Sequence, residues 1–152
     1  LEIRHILYRK KRFLDLLLLA DEQESMIDLY LERGEMFALY DRNILRAICV
    51  VTDEGDRTVE LKNIATVPEH QKQGYGKRLI RFISEHYAGK YDTLLVGTGE
   101  SPLTVPFYEH NGFRYSHRIK NFFTDNYDHP MYEDGKQLVD MVYLRKELSK
   151  SK

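Results

Sequence analysis

Between residues 57 and 87 the spacing of apolar positions changes from two to between three and four, and the rest of the chain is arranged around that change. Val59, Leu61, Ala65 and Val67 sit at even spacing, which places them on one face of a strand. Pro68 lacks the amide that a sheet ladder needs, so the strand is expected to stop there. From Tyr75 onward, Leu79, Ile80, Ile83 and Tyr87 fall at i, i+1, i+4 and i+8, one stripe of an amphipathic helix. Gly89 lies just past its end, where a left-handed glycine closes a helix.

The flanking segments carry weaker versions of the same signals. Ile3, Ile6, Leu7 and Tyr8 predict an edge strand. Asp21 with Glu24 reads as a capping box for a helix that carries Met26, Ile27, Tyr30 and Leu31 on one side and ends at Gly34. Residues 36–40 and 44–52 read as two strands about the turn Asp41, Arg42, Asn43, and residues 93–97 as another. Ser101 followed by Pro102 is a sound N-cap and first-turn pair. Pro106 would lose an interior helix bond, so the regular helix can equally begin at Thr104. Residues 114–123 and 138–145 predict the last two strands. The segment 124–136 between them is longer than a tight hairpin and carries Tyr127, Tyr132 and five acidic or imidazole side chains. Such a loop either receives a cationic amine or anchors itself to the core or to a second subunit through its tyrosines, while His129, before Pro130, reads as structural.

Composition narrows the class. At 152 residues, 42% hydrophobic and 31% charged, one domain spanning 1–152 is expected. A net charge of −1 offers no general attraction to nucleic acid or an anionic membrane. Residues 16–20 form an apolar run far too short to span a bilayer, and no signal peptide is evident. The chain opens on Leu1 rather than Met, which predicts that at least one residue precedes it. The single Cys49 excludes an internal disulfide, in keeping with a reducing cytoplasm. It reads as a small buried hydrophobe, which disfavours an acyl-cysteine intermediate. The basic run Arg9, Lys10, Lys11, Arg12 reads as a solvated segment, and no metal site is expected.

The candidate chemistry lies in Gln71, Lys72, Gln73, Gly74, Tyr75, Gly76 and Lys77. Two glycines let a ligand approach the backbone, the first-turn amides of the next helix lack partners, and Lys77 and Arg78 add charge. Such a turn suits a phosphate or diphosphate. A nucleotide P-loop would need glycine at Gln71 and Ser or Thr at Arg78, and a dinucleotide fingerprint would need a small residue at Leu79. Neither fits. The pattern Gln/Arg-x-x-Gly-x-Gly/Ala, followed by Phe107, Tyr108, Glu109, His110, Asn111, Gly112 and Phe113, resembles the two signatures of the GNAT family of N-acetyltransferases, in that family's order.

The resemblance covers residues 34–148 and implies an α/β (α+β) fold: a mixed, mostly antiparallel sheet of about seven strands flanked by about four helices. It implies acetyl-CoA as cosubstrate, its diphosphate on 71–77 and its pantetheine on the backbone of Ala65, Thr66 and Val67. Ser101 stands where the family commonly has a cofactor-contacting Asn, and Tyr108 where many members have a general acid. Glu60, eleven residues before Gln71, matches the glutamate base of histone-type members. The plain alternatives are a core-packed Tyr108 and a surface pair of Glu60 with Lys62. Asn63, on the opposite and mostly apolar face, could bind backbone or substrate. The expected reaction is direct transfer, within a ternary complex, to a primary amine of a small molecule in a cytoplasmic enzyme, with a homodimer possible. A protein or peptide amine, or a non-catalytic acyl-CoA sensor, is the alternative.

Overall fold

The computed structural model describes residues 1–148, so the last four residues of the expected 1–152 domain lie outside it. Its strands are β1 (Glu2–Ile6), β2 (Glu35–Asp41), β3 (Ile44–Gly55), β4 (Thr58–Thr66), β5 (Thr93–Gly99), β6 (Arg114–Ile119), β7 (Met131–Glu133), β8 (Lys136–Leu138) and β9 (Met141–Glu147). Its α-helices are α1 (Leu14–Ala20), α2 (Glu24–Asp28), α3 (Tyr75–Tyr87), α4 (Val105–His110) and α5 (Phe122–Asn126). Seven strands form one sheet in the order β1-β2-β3-β4-β5-β9-β6, and β7 and β8 form a separate hairpin. Only β4 and β5 pair in parallel; every other neighbouring pair is antiparallel. The mixed α/β architecture is therefore the expected one, with β1 at one edge. No helix among the described residues is long and apolar enough to cross a membrane.

Each face of the sheet is covered. Helix α3 buries Leu79, Ile80, Ile83 and Tyr87 against Phe37, Cys49, Leu61 and Leu94. Burying each Leu or Ile there contributes about 1.5–3 kcal/mol. Gly89, at φ 86°, ends that helix as expected. On the other face Leu17 of α1 and Ile27 of α2 pack with Met36, Ile48 and Val50.

Four expectations need correcting. Asn63 lies opposite Val50 but Leu61 lies opposite Val51, so Lys62 is the extra residue of a β-bulge. The bulge reverses the alternation. Val59 and Leu61 face α3, whereas Asn63 and Ala65 face α1, together with Glu60. Asp21 does not cap α2, which starts after Gln23 and has no side-chain cap; its carboxylate instead accepts from the hydroxyls of Tyr30 and Tyr127. The basic run is not wholly solvated. Lys10 is 7% exposed, and its ammonium donates to the carbonyls of Leu31, Glu32 and Gly34. Those carbonyls close the turns after α2, where a cation replaces the missing helical donors. Finally, 114–123 is not one strand: β6 stops at Ile119, α5 follows, and β9 begins at Met141.

Candidate active site

Strands β4 and β5 pair only over residues 58–61 and 93–96. Beyond the Lys62 bulge they part, and a cleft of about 420 Å³ opens between residues 61–64 of β4, residues 96–99 of β5 and Tyr108 of α4. Ladder alternation decides which backbone groups face it. The Val67 amide donates to the Arg46 carbonyl at 2.8 Å, so 46 and 67 form a hydrogen-bonded pair. By register, 48 with 65 and 50 with 63 are hydrogen-bonded pairs too. The amides and carbonyls of Ile64 and Thr66 therefore point away from β3 and into the gap.

This corrects the expected backbone contacts. Ala65 turns its groups to β3, and Val67 is committed at both ends, since its carbonyl accepts from His70 at 2.8 Å, whereas Thr66 turns its groups to the gap. Ile64, which sequence reasoning did not single out, turns its groups to the gap as well.

In the turn 71–77 the Gln71 amide donates to the Pro68 carbonyl at 3.4 Å, and the amides that follow are left open. Gly74, at φ 86°, stands at the N-cap of α3, Lys72 is also left-handed at φ 63°, and no side chain caps the helix. The first helical bond is Arg78 to Gly74, so the amides of Tyr75, Gly76 and Lys77 have no helical acceptor. Gln71, Lys72, Gln73 and Lys77 are exposed around them. A Cβ on Gly76 would stand 3.4 Å from the Phe107 ring, so glycine lets α4 sit close to the turn. The Tyr75 side chain points elsewhere, its hydroxyl donating to Asp41 at 2.8 Å. Gln71 turns its amide toward the Thr66 carbonyl at 3.4 Å. Ser101 is buried and accepts from the Leu103 amide, and α4 begins only after Thr104, the second of the two expected starts.

Glu60 lines a smaller cavity of about 230 Å³ that adjoins the cleft through Leu61, Lys62 and Gly97. It is 6% exposed, so its contact with Lys62, at 3.2 Å, is not a surface pair. Burial raises its carboxyl above the ordinary range, and the Lys62 charge and the Tyr143 hydroxyl, at 3.3 Å, only partly oppose this. Tyr143 reaches Glu60 because Gly97, directly opposite it on β5, has no side chain: a Cβ there would lie 3.0 Å from Cζ of the tyrosine. His117 of β6 stacks on the other side of that ring at 4.7 Å and 2°. Neither Tyr143 nor Gly97 was singled out from the sequence.

Tyr108 is buried in the cleft wall, edge-on to Phe107 and Phe113. Burial, and then the Glu133 carboxylate, push its phenol upward, so it stays protonated. The loop after β6 is anchored by Tyr127, whose hydroxyl donates to Asp21 at 2.7 Å, while Tyr132 is exposed at the cleft. Asn63 binds backbone: its amide donates to the Leu17 carbonyl and to Tyr30 Oη. Cys49 is fully buried and its thiol is pushed up to about 12, as an inert core residue requires.

Known proteins share this fold. A family model described as an acetyltransferase (GNAT) domain matches residues 32–115. The uncharacterized N-acetyltransferase YvbK of Bacillus subtilis is 39% identical over 137 residues, 88% of each chain. A GNAT family acetyltransferase from Elizabethkingia anophelis, solved with acetyl-CoA bound, is 34% identical over 97% of each chain, with a TM-score of 0.89. A Bacillus subtilis acetyltransferase solved with CoA is 35% identical over 97% of this chain and 98% of its own, with a TM-score of 0.88. The fold, the parted strands and these relatives together show that the chain belongs to the GNAT acetyltransferase family.

Proposed function

We propose that the protein transfers the acetyl group of acetyl-CoA to a primary amine of a small molecule, by direct attack in a ternary complex. The observation that carries this is that β4 parts from β5 and then leads, within a few residues, into the uncapped amides of 75–77. One long ligand with a diphosphate at its middle and an amide-bearing arm at its end fits both. The acetyl-CoA and CoA complexes of the two relatives support the same donor.

The chemistry follows from the groups in place. The amides of Tyr75, Gly76 and Lys77, at the positive end of α3, bind the diphosphate, with Lys77 adding charge. An Ile64 or Thr66 amide facing the gap polarises the thioester oxygen, a contact that contributes about 3–4 kcal/mol in comparable sites. Glu60, its basicity raised by burial, takes the proton of the attacking amine, directly or through one water. Tyr108 gives its proton to the departing thiolate as charge develops there, which its raised pKa permits only in concert with bond breaking. Amine attack breaks the thioester carbon–sulfur bond, forms the amide and leaves free CoA thiol. The acidic side chains Asp21, Glu60 and Glu133 lining the two cavities favour a cationic acceptor over an anionic one.

The test is thiol release from acetyl-CoA across a panel of small amines and N-terminal peptides. Small amines turning over faster than peptides supports the reading. Release with peptides alone transfers it to protein amines, and binding of acetyl-CoA without release in any case makes the chain a sensor.

A further inference from the structure

The outer side of α3 carries a further cavity, of about 360 Å³, that the transfer chemistry does not use. Lys77 and Arg81 of α3 and Lys146 of β9 line it, with His110 at the end of α4. Two carboxylates, Glu85 and Glu147, also reach it, and Glu147 is already paired with Arg114 at 3.3 Å and Arg145 at 2.8 Å. Among the described residues, Lys77, Arg81 and Lys146 make no ion pair.

The placement of Lys146 shows how closely these charges are gathered. Its stem lies on Gly112, with Cε 3.1 Å from where a Cβ would stand, so the ammonium stays within the cavity wall. Burial, and then the Arg81 cation, depress its pKa. Three cations thus share the cavity with one carboxylate that is not already ion-paired, Glu85, which leaves an excess of positive charge, and a guanidinium beside an ammonium suits a dianionic phosphate. The cavity also starts at the phosphate turn: Lys77 belongs to both, and Arg81 lies one helical turn farther on, about 5–6 Å away. In CoA, the ribose joined to the diphosphate carries a third phosphate on its 3′ oxygen, a few bonds away.

We propose that the cavity lined by Lys77, Arg81 and Lys146 binds a phosphate monoester, the 3′-phosphate of the CoA donor. This rests on the donor assignment above and extends it to a part of the molecule remote from the thioester.

Calorimetric titration of the full chain with CoA and with 3′-dephospho-CoA tests it, using the wild type, Arg81→Met and Lys146→Met. The wild type should bind dephospho-CoA at least tenfold more weakly than CoA. Each variant should weaken CoA toward the dephospho value and leave dephospho-CoA within about twofold. Equal affinity of the wild type for the two ligands overturns the proposal, as does discrimination that persists in both variants. Inorganic phosphate competing at the cavity while the two CoA forms bind equally would assign it to a free anion, and also overturns it. Binding of neither form overturns this inference and the donor assignment together. Normal discrimination without thiol release in the amine panel leaves this inference standing and removes only the proposed catalysis.

Discussion

Replacing Tyr143 with Phe removes one hydroxyl from the Glu60 carboxylate and nothing else, because the ring stays wedged between His117 and the space left by Gly97. The lost bond is to a charged acceptor, a class contributing about 1.5–3 kcal/mol, and its length of 3.3 Å places it at the lower end. The donor stabilises only the ionised carboxylate, so its loss raises the Glu60 pKa. At about 1.4 kcal/mol per decade, the acid limb of kcat/KM should move to higher pH by about one unit. The plateau rate should stay within about twofold, since deprotonated Glu60 remains. Lys62→Met should move the limb in the same direction and farther, because Lys62 opposes the burial effect by both charge and hydrogen bond. The assay is thioester loss against pH at subsaturating acceptor, where any limb due to the acceptor's own ammonium is common to all variants. An acid limb that stays in place, or moves to lower pH, in both variants would remove Glu60 as the base.

The other predictions concern neighbouring parts of the same structure. Tyr108→Phe should lower kcat by about 10²-fold with the KM for acetyl-CoA unchanged within twofold, and an unchanged kcat would exclude it as the acid. Gly97→Ala places a Cβ 2.6 Å from Met141 Sδ and 3.0 Å from the Tyr143 ring, so it should reproduce the acid-limb shift of Tyr143→Phe and destabilise the fold by about 1–3 kcal/mol in urea titration. Lys10→Met should destabilise by about 2–3 kcal/mol, because three carbonyls lose a charged donor, while CoA affinity measured by calorimetry stays the same.

What the sequence made legible was local. The turn, α3 and its closing glycine are each specified within a few residues, by two glycines, a change of period and one left-handed position, and they lie where that pattern puts them. The site's second half depends on partners far along the chain. Counting by twos along β4 assumes one residue opposite each residue, and the Lys62 bulge exists only in the register with Val50 and Val51. The resemblance put the pantetheine on the backbone of Ala65, Thr66 and Val67, and only the ladder with β3 decides that Ile64 and Thr66 are the ones turned to the gap. The buried Lys10 answers carbonyls 21–24 residues away, which a run of four basic residues cannot signal. Asp21 and Glu24 have capping spacing, yet tyrosines 9 and 106 residues distant claim the aspartate. Tyr143 could be found only once Gly97 had been placed opposite it.

The most direct measurement is a crystal structure with CoA bound. The account predicts diphosphate oxygens within hydrogen-bond distance of the amides of Tyr75, Gly76 and Lys77, and the pantetheine arm between β4 and β5 against the backbone of Ile64 and Thr66. A diphosphate elsewhere, or an arm that runs outside the parted strands, would contradict it.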